Sequence, residues 1–134
     1  MLLDSFLSFG LFFITALAVV ALFLFLYAVV TPYDDYKLIF EENNTAAAIG
    51  FGGAIVGLSI PLYSALTNSV SYFDFVVWAI VAMIIQLIFA FVMTRTNGKY
   101  SVRELIEKGV VPAGILTAMI SISIGLLNAG SMSY

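Results

Sequence analysis

The chain has 134 residues, of which 63% are hydrophobic and 10% are charged, and its mean hydropathy is +1.12. Because soluble domains average about 25% charged residues, this composition excludes a soluble globular protein and indicates an integral membrane protein. The net charge of −3 is too small and too scattered to predict a nucleic-acid partner. The lack of cysteine and histidine excludes disulfides, thiolate chemistry and the usual zinc ligand sets.

The first apolar run, residues 6–30, predicts a transmembrane helix, because about 20 apolar residues cross a bilayer core. Its many Phe and Leu residues are typical of a lipid-facing helix. We expect it to be retained, since it lacks a preceding basic region and exceeds the apolar core of a signal peptide. Thr31-Pro32 ends the helix, because a residue before proline avoids the α conformation.

Residues 34–42 have mixed character. Tyr36, Ile39 and Phe40 fall on one side and charged residues on the other, which favours a short amphipathic helix at the membrane interface; a solvated loop is the alternative. The charged side includes two acidic pairs, which we interpret as solvated rather than catalytic: Asp34-Asp35 and Glu41-Glu42.

The second span, residues 46–66, is distinguished by small residues on one helical face. They include Gly50, Gly53 and Gly57. Glycine in a membrane helix lets a neighbouring backbone approach closely, so we predict helix packing here. Asn44 is placed to cap this helix, and Pro61 is predicted to kink it and to free the carbonyl group four residues earlier.

The third and fourth spans are predicted at residues 75–93 and 110–129. Between them lies a second amphipathic segment with an apolar side formed by Val102, Leu105 and Ile106. The fourth span repeats the small-residue pattern of the second, and the residues predicted to pack are Gly114, Ala118 and Gly125. Spans two and four should therefore lie in the interior or at a subunit interface, with spans one and three coating them.

All five basic residues fall in the first and third loops: Lys37, Arg95, Lys99, Arg103 and Lys108. Because cytoplasmic loops are enriched in Lys and Arg, both loops are predicted to be cytoplasmic and both termini to lie on the opposite side of the membrane.

The two halves of the chain, residues about 1–68 and 69–134, share one order of features. Sliding the sequence against itself lays Glu41 on Glu107 and Ala47 on Ala113. The sequence therefore predicts an all-α membrane protein with one transmembrane domain over residues 1–134. Its four transmembrane helices form two tandem α-hairpins, a parallel internal repeat, with short amphipathic cytoplasmic segments.

Several short motifs along nearly the whole chain resemble one known family. They are Thr31-Pro32, Asn44-Thr45-Ala46-Ala47, Pro61-Leu62, Ser64-Ala65, Asn68-Ser69, Trp78, Gln86-Leu87 and Asn128-Ala129. The family is the bacterial inner-membrane domain of unknown function 350, also called uncharacterised protein family 0719. The resemblance implies a four-span inner-membrane protein without an established activity, associated by context with envelope-stress systems. The chain departs from the family's asparagine signature before the last span, where it reads Val110-Val111-Pro112-Ala113.

The spans hold no acid or histidine beside a hydroxyl group, so we expect no catalytic residues, no metal and no cofactor. One hypothesis is a non-catalytic homo-oligomeric membrane assembly or docking platform, in contact with the lipid bilayer and a cytoplasmic envelope-stress partner. The alternative is a homo-oligomeric channel for a small cation or neutral solute, lined by spans two and four. The polar candidates for either role are Asn44, Asn68, Gln86 and Asn128, and capping or satisfying backbone groups is the default for Asn44 and Asn128.

Overall fold

A computed structural model describes all 134 residues as helices joined by short loops. The elements are α1 (Leu2–Val30), a π-helical segment (Lys37–Glu41), α2 (Thr45–Asn68), α3 (Tyr72–Thr94), α4 (Val102–Glu107) and α5 (Val111–Ser131). The helices α1, α2, α3 and α5 are long and apolar enough to cross a membrane. The predicted all-α fold with four candidate spans is thereby confirmed.

Two helices begin about one turn earlier than predicted. The prediction ended the spans near charged residues, but Asp4 lies in the first turn of α1 and Asp74 in the first turn of α3. A carboxylate at this position is stabilised by the helix dipole and the free N–H groups, so it extends a helix start. Ser71 adds a side-chain cap to α3 by accepting a hydrogen bond from the Asp74 backbone N–H.

The bundle has two chemically different ends. The end that carries residues 31–44 (loop one) and residues 95–110 (loop three) holds every Lys and Arg, and we call it the basic end. The opposite end holds both chain termini and the short turn between α2 and α3. There Tyr134 packs against Trp78 with ring centroids 5.6 Å apart, which ties the last residue to the bundle.

The centre of the bundle is the contact between α2 and α5. The two helices run parallel, since Ala46 meets Gly114 near their starts and Gly57 meets Gly125 further along. As predicted, α1 is mostly exposed, with buried side chains only at Ala16, Phe23 and Tyr27.

The third span covers the other helices with one closely packed face. The inward face of α3 is buried against its neighbours: Phe75, Ala79, Ala82, Met83, Gln86, Ala90 and Thr94. Most of these residues recur every three or four positions and three are alanines, so this face packs closely within a helix that is otherwise rich in Ile, Val and Phe.

The two amphipathic segments differ in their detail. In loop one the segment is a short helix, as predicted, of the π type, and the solvated loop is not observed. Its buried side differs from the prediction, since Leu38 is buried while Tyr36 and Phe40 are exposed. In α4, Ile106 is fully buried, in agreement with the predicted apolar side. Pro61 lies inside a continuous α2.

The internal repeat stays a prediction. Each half contains a long helix, a short helical segment and a second long helix. Ala46 contacts Gly114, and Gly57 contacts Gly125. The sequence separation within each pair is close to the separation between Glu41 and Glu107, which the comparison of the two halves aligned. A two-fold axis along the bundle between α2 and α5 would produce such a pattern.

Candidate functional site

The residues predicted to mediate helix packing all lie in the contact between α2 and α5. They are Gly50, Gly53, Gly57, Gly114, Ala118 and Gly125, and all are buried. A Cβ atom added to Gly53 would overlap the backbone of Ala118, and one added to Gly114 would overlap the backbone of Ala46. The small faces therefore meet within one chain, and the four positions without room for a side chain are Gly53, Gly57, Gly114 and Gly125.

Pro61 and Gly125 are linked through the carbonyl group of Gly57. Proline has no N–H group, so Pro61 cannot donate to the carbonyl oxygen four residues before it. Gly125 packs on that oxygen so closely that an added Cβ would overlap it. A Cα–H···O contact at this point offers the freed carbonyl a weak donor. The polar group created by Pro61 thus faces protein.

Gln86 and Asn128 form a buried amide pair that joins α3 to α5. The Nε2 group of Gln86 donates to the Ser121 carbonyl oxygen at 3.3 Å. The Nδ2 group of Asn128 lies 3.2 Å from the Ala82 carbonyl oxygen and 3.4 Å from Oε1 of Gln86. Each amide therefore has partners on the opposite helix, which fixes the register of α3 against α5.

The other two polar candidates, Asn44 and Asn68, lie near helix ends. Asn44 caps α2, since its Oδ1 accepts from the Ala47 backbone N–H at 3.0 Å, and the capping prediction for this residue is confirmed. Its Nδ2 donates to the Ile106 carbonyl oxygen at 2.7 Å and so links loop one to α4. Asn68 is exposed and donates to the Ser64 carbonyl oxygen within α2. Asn128 is not a cap, because it lies inside α5, but it does serve a backbone group as expected.

The two loops of the basic end are folded onto each other. Side chains of loop one and α4 share an apolar cluster with the start of α2: Tyr33, Leu38, Ala46, Ala47 and Ile106. Arg95 closes the end of α1 by donating from Nη2 to the Val30 carbonyl oxygen at 3.0 Å, and its guanidinium carbon lies 4.2 Å from the centroid of the Phe91 ring. The basic end is therefore one ordered surface.

A polar recess of about 630 Å³ opens on this surface. Its charged lining is balanced, with Arg95 and Arg103 beside Glu104 and Glu107, and Arg103 pairs with Glu107 at 3.2 Å. The balance of charges fits a surface that recognises polar groups of both signs better than one that attracts a single charge.

Asp35 contradicts the interpretation of the acidic pairs as solvated. Only 1% of its surface is exposed, whereas its neighbour Asp34 points outward. The pKa of Asp35 is raised to about 7, chiefly by burial and to a smaller degree by the charge of Asp34, against the hydrogen bond from Thr31 and a backbone hydrogen bond, which both lower it. The two ion pairs of the chain do not involve Asp35, and no three acidic side chains lie close enough to hold a metal ion.

Polar groups around Asp35 form a small cluster at the end of α1. The hydroxyl oxygen of Thr31 lies 2.5 Å from Oδ2 of Asp35 and 3.2 Å from the Tyr33 carbonyl oxygen. Oδ1 of Asp35 and the hydroxyl group of the buried Tyr27 have no partner. Burial alternates along this segment: Thr31, Tyr33 and Asp35 are buried, and Asp34 between two of them is exposed. Such alternation is typical of an extended segment that packs on a core.

Comparison with known proteins gives a consistent match along the chain. The family model described as Domain of Unknown Function (DUF350) matches residues 1–132. The UPF0719 inner membrane protein YjfL of Escherichia coli K12 is 37% identical over 133 residues, which cover 99% of this chain and 98% of that protein. The UPF0719 transmembrane protein YshE of Bacillus subtilis 168 is 22% identical over 117 residues, 87% of each chain. No solved structure matches the chain.

Proposed function

The chain belongs to the DUF350 family of membrane proteins, and on that footing we propose that it is a non-catalytic scaffold whose basic end is a docking platform in envelope maintenance. In this proposal the bundle anchors the platform in the inner membrane. The platform presents loops one and three to a partner in the cytoplasm.

The observation that carries the proposal is the hydrogen bond from Asn44 to the Ile106 carbonyl oxygen, at 2.7 Å. It joins loop one to α4 across a long sequence separation, and the apolar cluster around Ile106 buries the same junction. Two loops that only connect helices need no such bond. A surface that must keep one shape for a partner does, since preorganisation lowers the entropy lost on binding.

The orientation of the platform follows from its charge. Lys and Arg residues occur only at the basic end, and such loops remain in the cytoplasm during insertion. The balanced charges of the recess favour a protein partner with both acidic and basic side chains over an anionic lipid surface alone.

A homo-oligomer held by the glycine faces is less well supported than the sequence suggested. Those faces are filled within one chain, because α2 and α5 cover each other. Association between copies therefore has to use the outer faces of the four long helices, where large apolar side chains are exposed. Close packing in lipid favours small residues, so we expect this association to be weaker than the contact inside the chain.

The alternative, a homo-oligomeric channel lined by α2 and α5, has less support for the same reason. The residues that would line it contact one another: Gln86 bonds Asn128, and Gly57 lies against Gly125. A channel between α2 and α5 would require these two helices to separate and their close glycine contacts to be lost, whereas the amide pair would stay intact because it joins α3 to α5.

The platform can be tested by site-specific photo-cross-linking in intact cells. A photoreactive residue replaces Glu104 on the platform, and the matched control replaces Val70 at the opposite end, both of which are exposed. We expect a discrete protein adduct from position 104 that is absent from position 70 and is lost when Asn44→Ala unlinks the loops. Equal adducts from both ends, or adducts unaffected by Asn44→Ala, would contradict the proposal.

The channel alternative is tested separately with the purified protein in lipid vesicles. We expect no flux of small cations or neutral solutes above that of empty vesicles. Flux that changes with Gln86→Leu or Asn128→Leu, but not with Ser59→Ala, would favour the channel over the platform. Ser59 is a suitable control because it is exposed and bonds only within its own helix.

A further inference from the structure

The cluster at the end of α1 has fewer hydrogens than its geometry needs. The Thr31 hydroxyl oxygen is within hydrogen-bonding distance of three acceptors, which are Oδ2 of Asp35, the Tyr33 carbonyl oxygen and, at 3.5 Å, the Ala28 carbonyl oxygen. A hydroxyl group has one hydrogen, so it can serve only one of them while Asp35 is ionised. A proton on Oδ2 completes the series of hydrogen bonds, because the carboxyl group then donates to the Thr31 hydroxyl group, which donates to the Tyr33 carbonyl oxygen.

The opposite side of the carboxyl group points to the same conclusion. Oδ1 of Asp35 has no partner although it is buried. A buried carboxylate with an empty oxygen is far more costly than a neutral carboxyl group.

No positive charge compensates Asp35 from the surrounding elements. Its own loop contributes the carboxylate of Asp34 and the exposed Lys37, which forms no ion pair with Asp35, and α1 contributes the neutral phenol of Tyr27. From α4, Glu107 adds a second negative charge beside Tyr33. Arg95 at the end of α3 donates a hydrogen bond to the Val30 carbonyl oxygen. Neither ion pair of the chain includes Asp35.

We propose that Asp35 is a proton-binding site, and that its proton keeps loop one seated on the ends of α1 and α2. Losing the proton leaves a buried charge without a counter-ion, which is relieved when Asp35 and Tyr33 move toward water. Tyr33 and Leu38 then leave the apolar cluster that covers Ala47. The site thus makes the shape of the platform respond to pH near the membrane surface. It goes beyond the docking function and does not depend on the identity of any partner.

The direction of the response follows from linkage. In the seated form the pKa of Asp35 is about 7, above its usual value of 3.8. The seated form therefore holds the proton more tightly than the open form. Its advantage is complete below the usual value and is lost progressively as the pH rises to about 7. Loop one should be most firmly seated in mildly acidic conditions and should open more often in alkaline ones.

Infrared difference spectroscopy of the full chain in lipid vesicles detects the proton directly, through the carbonyl stretch of a protonated carboxyl group. We expect a band that titrates with a midpoint near 7 and disappears in Asp35→Asn. The matched control, Asp34→Asn, should keep the band. The proposal is overturned if Asp35→Asn leaves every titrating band unchanged. It is also overturned if replacing sodium by potassium at constant ionic strength moves the midpoint, since the site would then bind a metal cation.

Thiol labelling of an introduced cysteine measures how firmly loop one is seated. No native cysteine has to be replaced first, because the chain has none. Ala47→Cys reports opening, since Ala47 is 2% exposed beneath Tyr33 and Leu38. Glu42→Cys, which is exposed, corrects for the chemistry of the thiol. We expect the corrected rate to rise by roughly 100-fold between pH 5 and pH 9, with most of the rise below pH 7 and a plateau above it, and to stay flat when Asp35→Asn is added. A flat rate in the chain with Asp35 intact would refute the coupling to loop one.

These measurements do not involve a partner, so they can fail or succeed independently of the platform. A missing adduct from position 104 with an intact titration of Asp35 would count against the platform alone. An adduct from that position with no titrating carboxyl group would count against the proton site alone.

Discussion

The middle of the bundle and its basic end both bury polar groups, but they treat them in opposite ways. In the middle, Gln86 and Asn128 bond each other and two backbone carbonyl groups. At the basic end, Asp35 and Tyr27 are equally buried, yet each leaves one oxygen without a partner. The amide pair in the middle holds helices together. At the basic end the unpaired oxygen of the ionised Asp35 is unfavourable, and protonation of Asp35 lowers its free energy.

This contrast between the two regions indicates where the molecule can change shape. Between α2 and α5 the backbones touch through glycines, so any change there costs many contacts at once. Loop one is held by a short apolar cluster and a few hydrogen bonds. Regions of low local stability open first, so we expect motion at the basic end while the middle stays fixed.

The largest effect should come from Gly125→Ala. The new methyl group would overlap the Gly57 carbonyl and neighbouring backbone atoms, so α2 and α5 must separate. Overpacking of this kind costs about 3 kcal/mol in the free energy of unfolding. Unfolding in mixed detergent, followed by the fluorescence of Trp78, measures it. Gly52→Ala is the control, since nothing lies within 4 Å of its added Cβ; equal stability of the two variants would show that the middle is not closely packed.

A smaller loss is expected for Gln86→Leu. Asn128 loses one partner but keeps the Ala82 carbonyl oxygen, so the cost should be about 1–2 kcal/mol. The double variant with Asn128→Leu should lose less than the sum of the single variants, because the two amides share one interaction. The same unfolding assay applies. Strict additivity would mean that the amides act separately.

Asn44→Ala should cost about 1 kcal/mol, the usual value for a lost helix cap, with its effect confined to the basic end. Hydrogen exchange should increase at the start of α2 and in α4, where Asn44 bonds Ala47 and Ile106. The control is Ser71→Ala, which removes the cap of α3 at the opposite end. Faster exchange in α4 with the control as well would show that the loops are not joined through Asn44.

The mildest change, Thr31→Val, should alter the titration of Asp35 with little effect on stability. The Thr31 hydroxyl group is the partner of Oδ2 in both forms, as a donor to the carboxylate and as an acceptor from the carboxyl group. A hydrogen bond to the charged form is the stronger of the two, so removal of the hydroxyl group raises the pKa of Asp35 above about 7. The infrared titration described above measures the shift. A lower midpoint would mean that Thr31 serves the neutral form more strongly than the ionised one.

Sequence patterns predicted the parts of the fold that depend on periodicity. Four apolar runs marked the four long helices, and the spacing of Gly53 and Gly57 marked a packing face, which lies against α5. The pattern could not tell a contact within one chain from one between copies, because the same small face suits either. It also missed the inward face of α3, since alanines among Ile and Val have no distinctive hydropathy.

Asp35 could not be placed from its neighbours in sequence. A charged pair beside a proline is most often a solvated turn, and Asp34 behaves in that way. What buries Asp35 is the fold of loop one over the ends of α1, α2 and α4, a product of contacts distant in sequence such as that of Asn44 with Ile106. The charge on a residue therefore predicts its cost of burial, while the tertiary fold decides whether that cost arises.

The contact between Gly57 and Gly125 also constrains how the chain is made. Synthesis proceeds from the amino end, so α2 enters the membrane well before its partner helix exists. Until α5 is inserted, the bare face around Gly53 and Gly57 lies against lipid or the insertion machinery, with its freed carbonyl group unmet. The bundle core closes only with the last helix. Chains halted before that point leave the face around Gly53 and Gly57 uncovered within the bilayer.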